Sequence, residues 1–197
     1  LKRKKRRKTR KPIPPPPVMK ADGYRMPAEW EPHDATWLAW PHFRMDWPGK
    51  FEPIPWAYAE LIRYLAKRER VEVIVKNVRS VPRATDVLER SGAMHQNINF
   101  HVWPTNRVWL RDSGCTFVVR RPAEGEYVAE EGRAPLAAIK WRFNAWAKYT
   151  NWDLDDKVGS KIAEAASALE IRAYQGKDVA VLEGGAIDCN GRGTLLT

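Results

Sequence analysis

The sequence contains little cysteine, with two residues, Cys115 and Cys189, in a chain of 197. Two thiols in a chain of this length do not make a disulfide framework, and we therefore expect a reducing, cytoplasmic compartment. Neither thiol has CxxC spacing, and the four histidines are scattered rather than clustered: His33, His42, His95 and His101. The sequence accordingly predicts no metal site and no bound cofactor.

Long apolar runs are also missing. No apolar stretch approaches the ~18 residues that a membrane-spanning helix needs, so no membrane partner is expected. No apolar segment of about 7–15 residues follows the basic run near the N-terminus, which argues against a secretory signal peptide. A glycine-rich phosphate-binding loop is absent as well.

Acidic residues are absent from the first eleven positions, which hold nine Lys or Arg residues. The other 186 residues carry 25 basic and 24 acidic side chains, so almost all of the +10 formal charge lies in this one segment. A proline-rich stretch at 12–17 follows and favours extended polyproline II, and we predict a disordered tail over residues 1–18.

The role of this tail stays open between three interpretations. It is an arm for nucleic acid or another anionic surface, a nuclear-localisation-like patch, or sequence upstream of a start at Met19. The first interpretation predicts salt-sensitive binding of nucleic acid that disappears when residues 1–18 are deleted. Because the remaining body is electrically balanced, a nucleic-acid partner is expected only through the tail.

Apolar periodicity from residue 23 onward, together with ten tryptophans, predicts a folded body with short strands and helices. The predicted strands are 36–40, 71–75, 97–103, 116–119, 137–143 and 179–182, with a hairpin at Asn190-Gly191. The predicted helices start near Pro55, span 82–91, and start near Asp153 with Ala165 and Leu169 on the buried face. This order predicts an α+β fold with mixed sheets and repeated ββαβ-like units, rather than a run of right-handed βαβ crossovers.

The stretch 108–119 places a charged pair, Arg111 and Asp112, between two strand-like segments. A carboxylate at a strand end beside an indole, here Trp109, can receive a planar cation. A structural ion pair between Arg111 and Asp112, at a turn allowed by Gly114, explains the same residues equally well. From residue types alone both interpretations stay open.

A second carboxylate, Glu183, stands at the end of a predicted strand and precedes Gly184 and Gly185. Glycines in that position let a ligand or another backbone approach closely. Glu183 is a candidate acid/base group, an orienting group for a histidine, or a buried acid satisfied by backbone amides. Together, Asp112 and Glu183 in an otherwise neutral body favour a small cationic substrate.

Four motifs stand in one order along the chain. They are MPAEWEPH with TWLAWP at 26–41, WLRDSG at 109–114, FNAW at 143–146, and EGGAI with GRGT at 183–194. Residues 24–197 thereby resemble the agmatine deiminase family, which belongs with the bacterial peptidylarginine deiminases to the guanidino-group-modifying enzymes. The resemblance implies a pentein α/β-propeller, of which residues 19–197 would be the N-terminal part, roughly the first half and truncated at the C-terminus.

The resemblance also implies a reaction. The family hydrolyses a guanidinium group, as in agmatine to carbamoyl-putrescine and ammonia, through a thiouronium adduct of a cysteine. By its pattern Asp112 would bind the guanidinium of agmatine or an arginine-like compound, and Trp109 would flank it. Glu183 would hold the catalytic histidine, and Gly184 would lie against the substrate.

The family's nucleophilic cysteine and its His-x-Asp histidine lie further along than Thr197, so this chain alone is expected to be an inactive fragment. Cys115 stands where the family has proline, which puts the rigidity of the Asp112 turn in doubt. Neither Cys115 nor Cys189 matches the position of the nucleophile. A homo-oligomer, or a non-catalytic half-propeller covered by a partner chain, stays an alternative.

Overall fold

The computed structural model describes residues 23–120 and 135–197, which form a mixed α/β arrangement of small sheets. The strands are β1 Ala35–Ala39, β2 Arg70–Val75, β3 Ile98–Val102, β4 Thr116–Val119, β5 Leu136–Lys140, β6 Leu169–Arg172, β7 Tyr174–Gln175, β8 Asp178–Val179, β9 Asp188–Cys189 and β10 Leu195–Leu196. The helices are α1 Ile54–Leu65, α2 Ser80–Arg90, α3 Leu110–Ser113 and α4 Val158–Ala165, with 3-10 turns at Arg44–Asp46, Asp155–Lys157 and Gly184–Ala186. In this described part, no helix has the length and apolar character to cross a membrane. The tail predicted at 1–18 lies outside the described residues.

The first sheet is parallel throughout, in the order β1-β2-β3. Helix α1 connects β1 to β2, and α2 connects β2 to β3, so the chain makes two consecutive βαβ crossovers. The prediction that such a run is absent is therefore wrong for this half of the chain. Parallel neighbours cannot be joined by a tight hairpin, and helices of 12 and 11 residues supply the length that a crossover needs.

The central strand β2 is buried on both faces from Val71 to Val75, as expected for a covered parallel sheet. Its valines pack against α1 and α2 in a cluster that includes Ile62 and Leu88. The opposite face contributes Ile74 to a second cluster, which contains Val158 and Ile162 of α4. This second cluster therefore joins the first sheet to the helix that crosses between β5 and β6.

The second sheet runs β4-β5-β6 and is mixed, because β5 pairs antiparallel with β4 and parallel with β6. The chain order here, β4-β5-α4-β6, is a ββαβ unit, but its last strand is Leu169–Arg172 and not the predicted strand 179–182. The Asn-Gly hairpin is confirmed, since β9 and β10 pair antiparallel with Leu195 opposite Cys189. A further hairpin of β7 and β8, which turns at Gly176, has no counterpart in the sequence-based prediction.

Helix α4 ends one turn earlier than its apolar pattern predicts. Ser167 has a left-handed backbone with φ 52°, and the Ala168 amide N–H bonds to the Ala163 carbonyl at 2.9 Å, as in a Schellman cap. Glycine usually marks this position, and serine gives no such signal. The predicted burial of Ala165 and Leu169 is therefore wrong: Ala165 is exposed, and Leu169 begins β6 with 60% of its surface exposed.

Replacing Ile162 by alanine should destabilise the chain by about 2–5 kcal/mol, because it opens a cavity in the cluster beneath the first sheet. Leu169→Ala is the matched control, since it removes a side chain of the same size from an exposed site and should cost less than about 1 kcal/mol. Urea unfolding followed by circular dichroism measures both changes. Equal losses in the two variants would contradict this assignment of the core.

Candidate substrate-binding site

The helical turn α3 presents the predicted site residues. It begins after Trp109, and the Gly114 amide N–H closes it by bonding to the Leu110 carbonyl at 2.9 Å. Gly114 itself is extended, with φ −70° and ψ −165°, so the prediction that it supplies special backbone freedom is wrong. The position needs glycine for space, because a Cβ there would lie 2.6 Å from the Leu110 carbonyl oxygen.

Arg111 and Asp112 face different partners. Arg111 Nη1 donates to Glu29 Oε1 at 2.5 Å, whereas Asp112 Oδ2 accepts from the indole Nε1 of Trp146 at 3.3 Å. Successive residues of a helical turn point about 100° apart, which separates the two side chains. The structural alternative, an ion pair between these sequence neighbours, is therefore wrong.

Glu183 lies immediately before the 3-10 turn Gly184–Ala186 and close to the backbone of Trp146. Partial burial raises the pKa of Glu183 above its ordinary value, and the neighbouring carboxylate of Asp112 raises this pKa further. The two predicted carboxylates thus lie close to each other, and the indole N–H of Trp146 donates to Asp112. A pair of like charges held in this way favours a cation between them.

The glycines after Glu183 allow the 3-10 turn to touch α3. A Cβ at Gly185 would lie 2.5 Å from Asp112 Oδ1, and a Cβ at Gly184 would collide with the backbone carbonyl oxygen of Arg111. The described contact of Gly184 is therefore with protein backbone. Its predicted place against the substrate stays a prediction.

A cavity of about 510 Å³ has Trp109, Arg111 and Gly184 in its wall. Trp109 is 40% exposed, and its ring centroid lies 5.5 Å from that of Trp47. An indole exposed at the wall of a cavity can present its face to a planar cation. Asp112 and Glu183 do not line this cavity, so the predicted flanking role of Trp109 stays a prediction.

A buried guanidinium, that of Arg107, supports the site although it has no local sequence signal. Its side chain is 13% exposed. It stacks between two rings and donates to a carboxylate and an amide, which are Phe43, Tyr149, Asp46 and Asn151. Asp46 and Asn151 lie 61 and 44 positions from Arg107 in the sequence, so no motif of fixed spacing predicts these contacts. The loop before α4 that Arg107 holds also carries Trp146, whose indole N–H donates to Asp112.

The sequence profile of the Porphyromonas-type peptidyl-arginine deiminase family matches residues 25–197. The chain belongs to this family. It is 34% identical over 190 residues to the agmatine deiminase of Pseudomonas aeruginosa, an alignment that covers 93% of this chain and 45% of that protein. The resemblance inferred from the four motifs is confirmed.

Solved structures from the same group of enzymes share the fold of this deiminase-family chain. The agmatine deiminase of Enterococcus faecalis matches with a TM-score of 0.71 and 28% identity, over 91% of this chain and 44% of that one. A cysteine-to-serine variant of the C. jejuni agmatine deiminase with substrate bound matches with a TM-score of 0.66 and 25% identity, over 88% and 45%. The chain therefore spans a little under half the length of these relatives.

The two cysteines of this deiminase-family chain are packed thiols. Burial raises the pKa of Cys115 to about 12, whereas a reactive thiol needs a lowered pKa. The Sγ of Cys189 lies 3.2 Å from the carbonyl oxygen of Pro27, to which it donates. Within the two described ranges, no group of three or more His, Cys, Asp or Glu side chains is placed to hold a metal ion.

Replacing Asp112 by asparagine should lower the pKa of Glu183 toward its ordinary value, because the change removes the neighbouring like charge. An NMR titration of the Glu183 side-chain carboxyl carbon measures the shift. Asp188→Asn is the control, since Asp188 is an exposed carboxylate on β9 and should leave the titration unchanged. If the pKa of Glu183 stays the same when Asp112 is replaced, the two carboxylates do not interact.

Proposed function

We propose that this chain forms the guanidinium-binding part of a hydrolase that deiminates agmatine or a closely related guanidino compound. The observation that carries the proposal is the pairing of Asp112 with Glu183. These two carboxylates lie together, and neither has a cationic side-chain partner among residues 23–120 and 135–197. The relatives that are agmatine deiminases support the choice of substrate class.

The chemistry of a guanidinium suits this arrangement. The group is planar and permanently charged, and it pairs with carboxylates through directed N–H···O bonds. In the proposed complex Asp112 accepts these bonds, and the indole N–H of Trp146 orients the carboxylate. The ring of Trp109 covers one face of the planar cation.

In the proposed reaction a cysteine thiolate attacks the guanidino carbon, and a C–N bond breaks with release of ammonia. Water then attacks the thiouronium carbon, the C–S bond breaks, and the ureido product leaves. For agmatine that product is carbamoyl-putrescine. By the family resemblance the cysteine and the catalytic histidine come from beyond residue 197, and Glu183 orients the histidine.

We also propose that the two three-stranded sheets are blades of a pentein α/β-propeller. The ββαβ order of the second sheet supports this arrangement, because it is the repeat that the resemblance implies. The share of the relatives that the chain covers, 44% for the E. faecalis enzyme, is in keeping with roughly half of such a propeller.

Asp112→Asn should weaken agmatine binding by about tenfold to a hundredfold, because it removes a charge-assisted hydrogen-bond acceptor. Isothermal titration calorimetry of agmatine into the 197-residue chain measures the change. Asp188→Asn removes a carboxylate that is exposed on β9, and this control should keep the unmodified affinity. Equal affinities for the Asp112 variant and the unmodified chain would refute the proposed site.

The 197-residue chain by itself should release no ammonia from agmatine above the rate in buffer. The reason is that burial gives Cys115 a pKa near 12, and the Cys189 Sγ donates to the Pro27 carbonyl oxygen. A coupled ammonia assay and chromatography of carbamoyl-putrescine measure turnover. If the chain turns over agmatine and Cys115→Ser or Cys189→Ser abolishes that turnover, the nucleophile lies in this chain. That result would overturn its assignment to another part of the protein.

A further inference from the structure

Arg111 carries the same functional group as the proposed substrate and lies next to the proposed binding carboxylate. A Cβ at Gly185 would lie 2.5 Å from Asp112 Oδ1 and 3.9 Å from Arg111 Cγ, so both side chains flank one point. The guanidinium lies several bonds beyond Cγ, and the Arg111 side chain is 54% exposed. A change of side-chain rotamer therefore brings Arg111 onto Asp112.

Arg111 forms its ion pair with Glu29 and not with Asp112. Arg111 Nη1 donates to Glu29 Oε1 at 2.5 Å. The segment that carries Glu29 is itself anchored, because Arg25 and Glu31 form two hydrogen bonds of 2.7 Å. Glu31 also accepts the Ala28 amide N–H at 2.9 Å. The carboxylate of Glu29 is thus presented from a fixed backbone.

We infer that Glu29 is a positioning residue that keeps Arg111 off Asp112 and Glu183, so that these carboxylates stay available to an external guanidinium. Without Glu29, Arg111 becomes an intramolecular competitor of the substrate. This inference rests on the proposed function, because it requires that the two carboxylates bind a guanidinium. It adds a residue, 82 positions from Arg111, that decides whether the site is open.

Loss of the Glu29–Arg111 ion pair should change the affinity for agmatine rather than the folding stability. Both partners are about half exposed, at 54% and 51%, and exposed ion pairs contribute little to stability. A tethered competitor, in contrast, acts at an effective concentration in the millimolar range. The apparent Kd rises by the inverse of the fraction of chains whose carboxylates are free. If Arg111 occupies them in half to nine tenths of the chains, the apparent Kd rises about twofold to tenfold.

Three variants of the full 197-residue chain test the inference: Glu29→Ala, Arg111→Gln and the double variant. Calorimetry with agmatine should show a Kd about twofold to tenfold higher for Glu29→Ala. The double variant should return to the unmodified Kd, because it has lost the competitor, and Arg111→Gln should bind at least as tightly. If the ion pair is merely structural, the double variant stays as weak as Glu29→Ala, and that result overturns the inference.

Glu60→Ala is the matched control, because the Glu60 side chain is as exposed as that of Glu29, at 53% against 51%, and pairs with Arg63 inside α1. It should leave the Kd for agmatine unchanged. If Glu60→Ala loses as much affinity for agmatine as Glu29→Ala, the loss comes from the change in the overall charge of the chain. That result would overturn the inference.

A second readout separates this inference from the proposed function. The indole N–H of Trp146 donates to Asp112, so its NMR resonance reports on that carboxylate. The resonance should shift in Glu29→Ala and return in the double variant, with no agmatine present. If the unmodified chain does not bind agmatine, the proposed function is refuted. The Trp146 resonance still shows in that case whether Arg111 moves onto Asp112 when Glu29 is replaced. A resonance that is unchanged in Glu29→Ala overturns the inference even where agmatine binds.

Discussion

The buried guanidinium of Arg107 is the contact on which the candidate site depends. A charge with 13% of its side chain exposed needs partners inside the fold, because an uncompensated buried charge is strongly destabilising. Those partners lie on loops that are distant in the sequence, so satisfying Arg107 draws the loops together. Asp155 completes the junction by accepting the backbone amides of Asn106 and Arg107. The loop that carries Trp146 is thereby set opposite α3.

The net charge at the site depends on which cationic side chains already pair with a carboxylate. Arg107 is paired with Asp46, and Arg111 is paired with Glu29. Asp112 and Glu183 are left without a cationic partner among the described residues, and the indole N–H of Trp146 offsets part of the charge of Asp112. Since the body beyond the basic tail is nearly neutral, long-range attraction is weak, and the proposed selectivity for a cation depends on this local pair.

Most helices and strands were predictable because each has one apolar face, and a period of 3.6 or 2 identifies that face without tertiary information. Several features were not, among them the strand β6 and the hairpin of β7 and β8. The parallel pairing of β1, β2 and β3 depends on contacts between distant segments, and Glu72 interrupts the apolar pattern of β2 although it is 7% exposed and bonded to His101. The end of α4 was missed because Ser167 adopts a conformation that usually belongs to glycine.

The sequence by itself determined the family and proposed the carboxylates Asp112 and Glu183 as site residues, since both inferences depend only on residue identity and local order. Tertiary structure decided the partners. Arg111 could pair with its neighbour Asp112 or with Glu29, and the two ion pairs are chemically alike, so only the placement of Glu29 by the fold selects one. Trp146 likewise donates to Asp112 because contacts between distant loops bring it there.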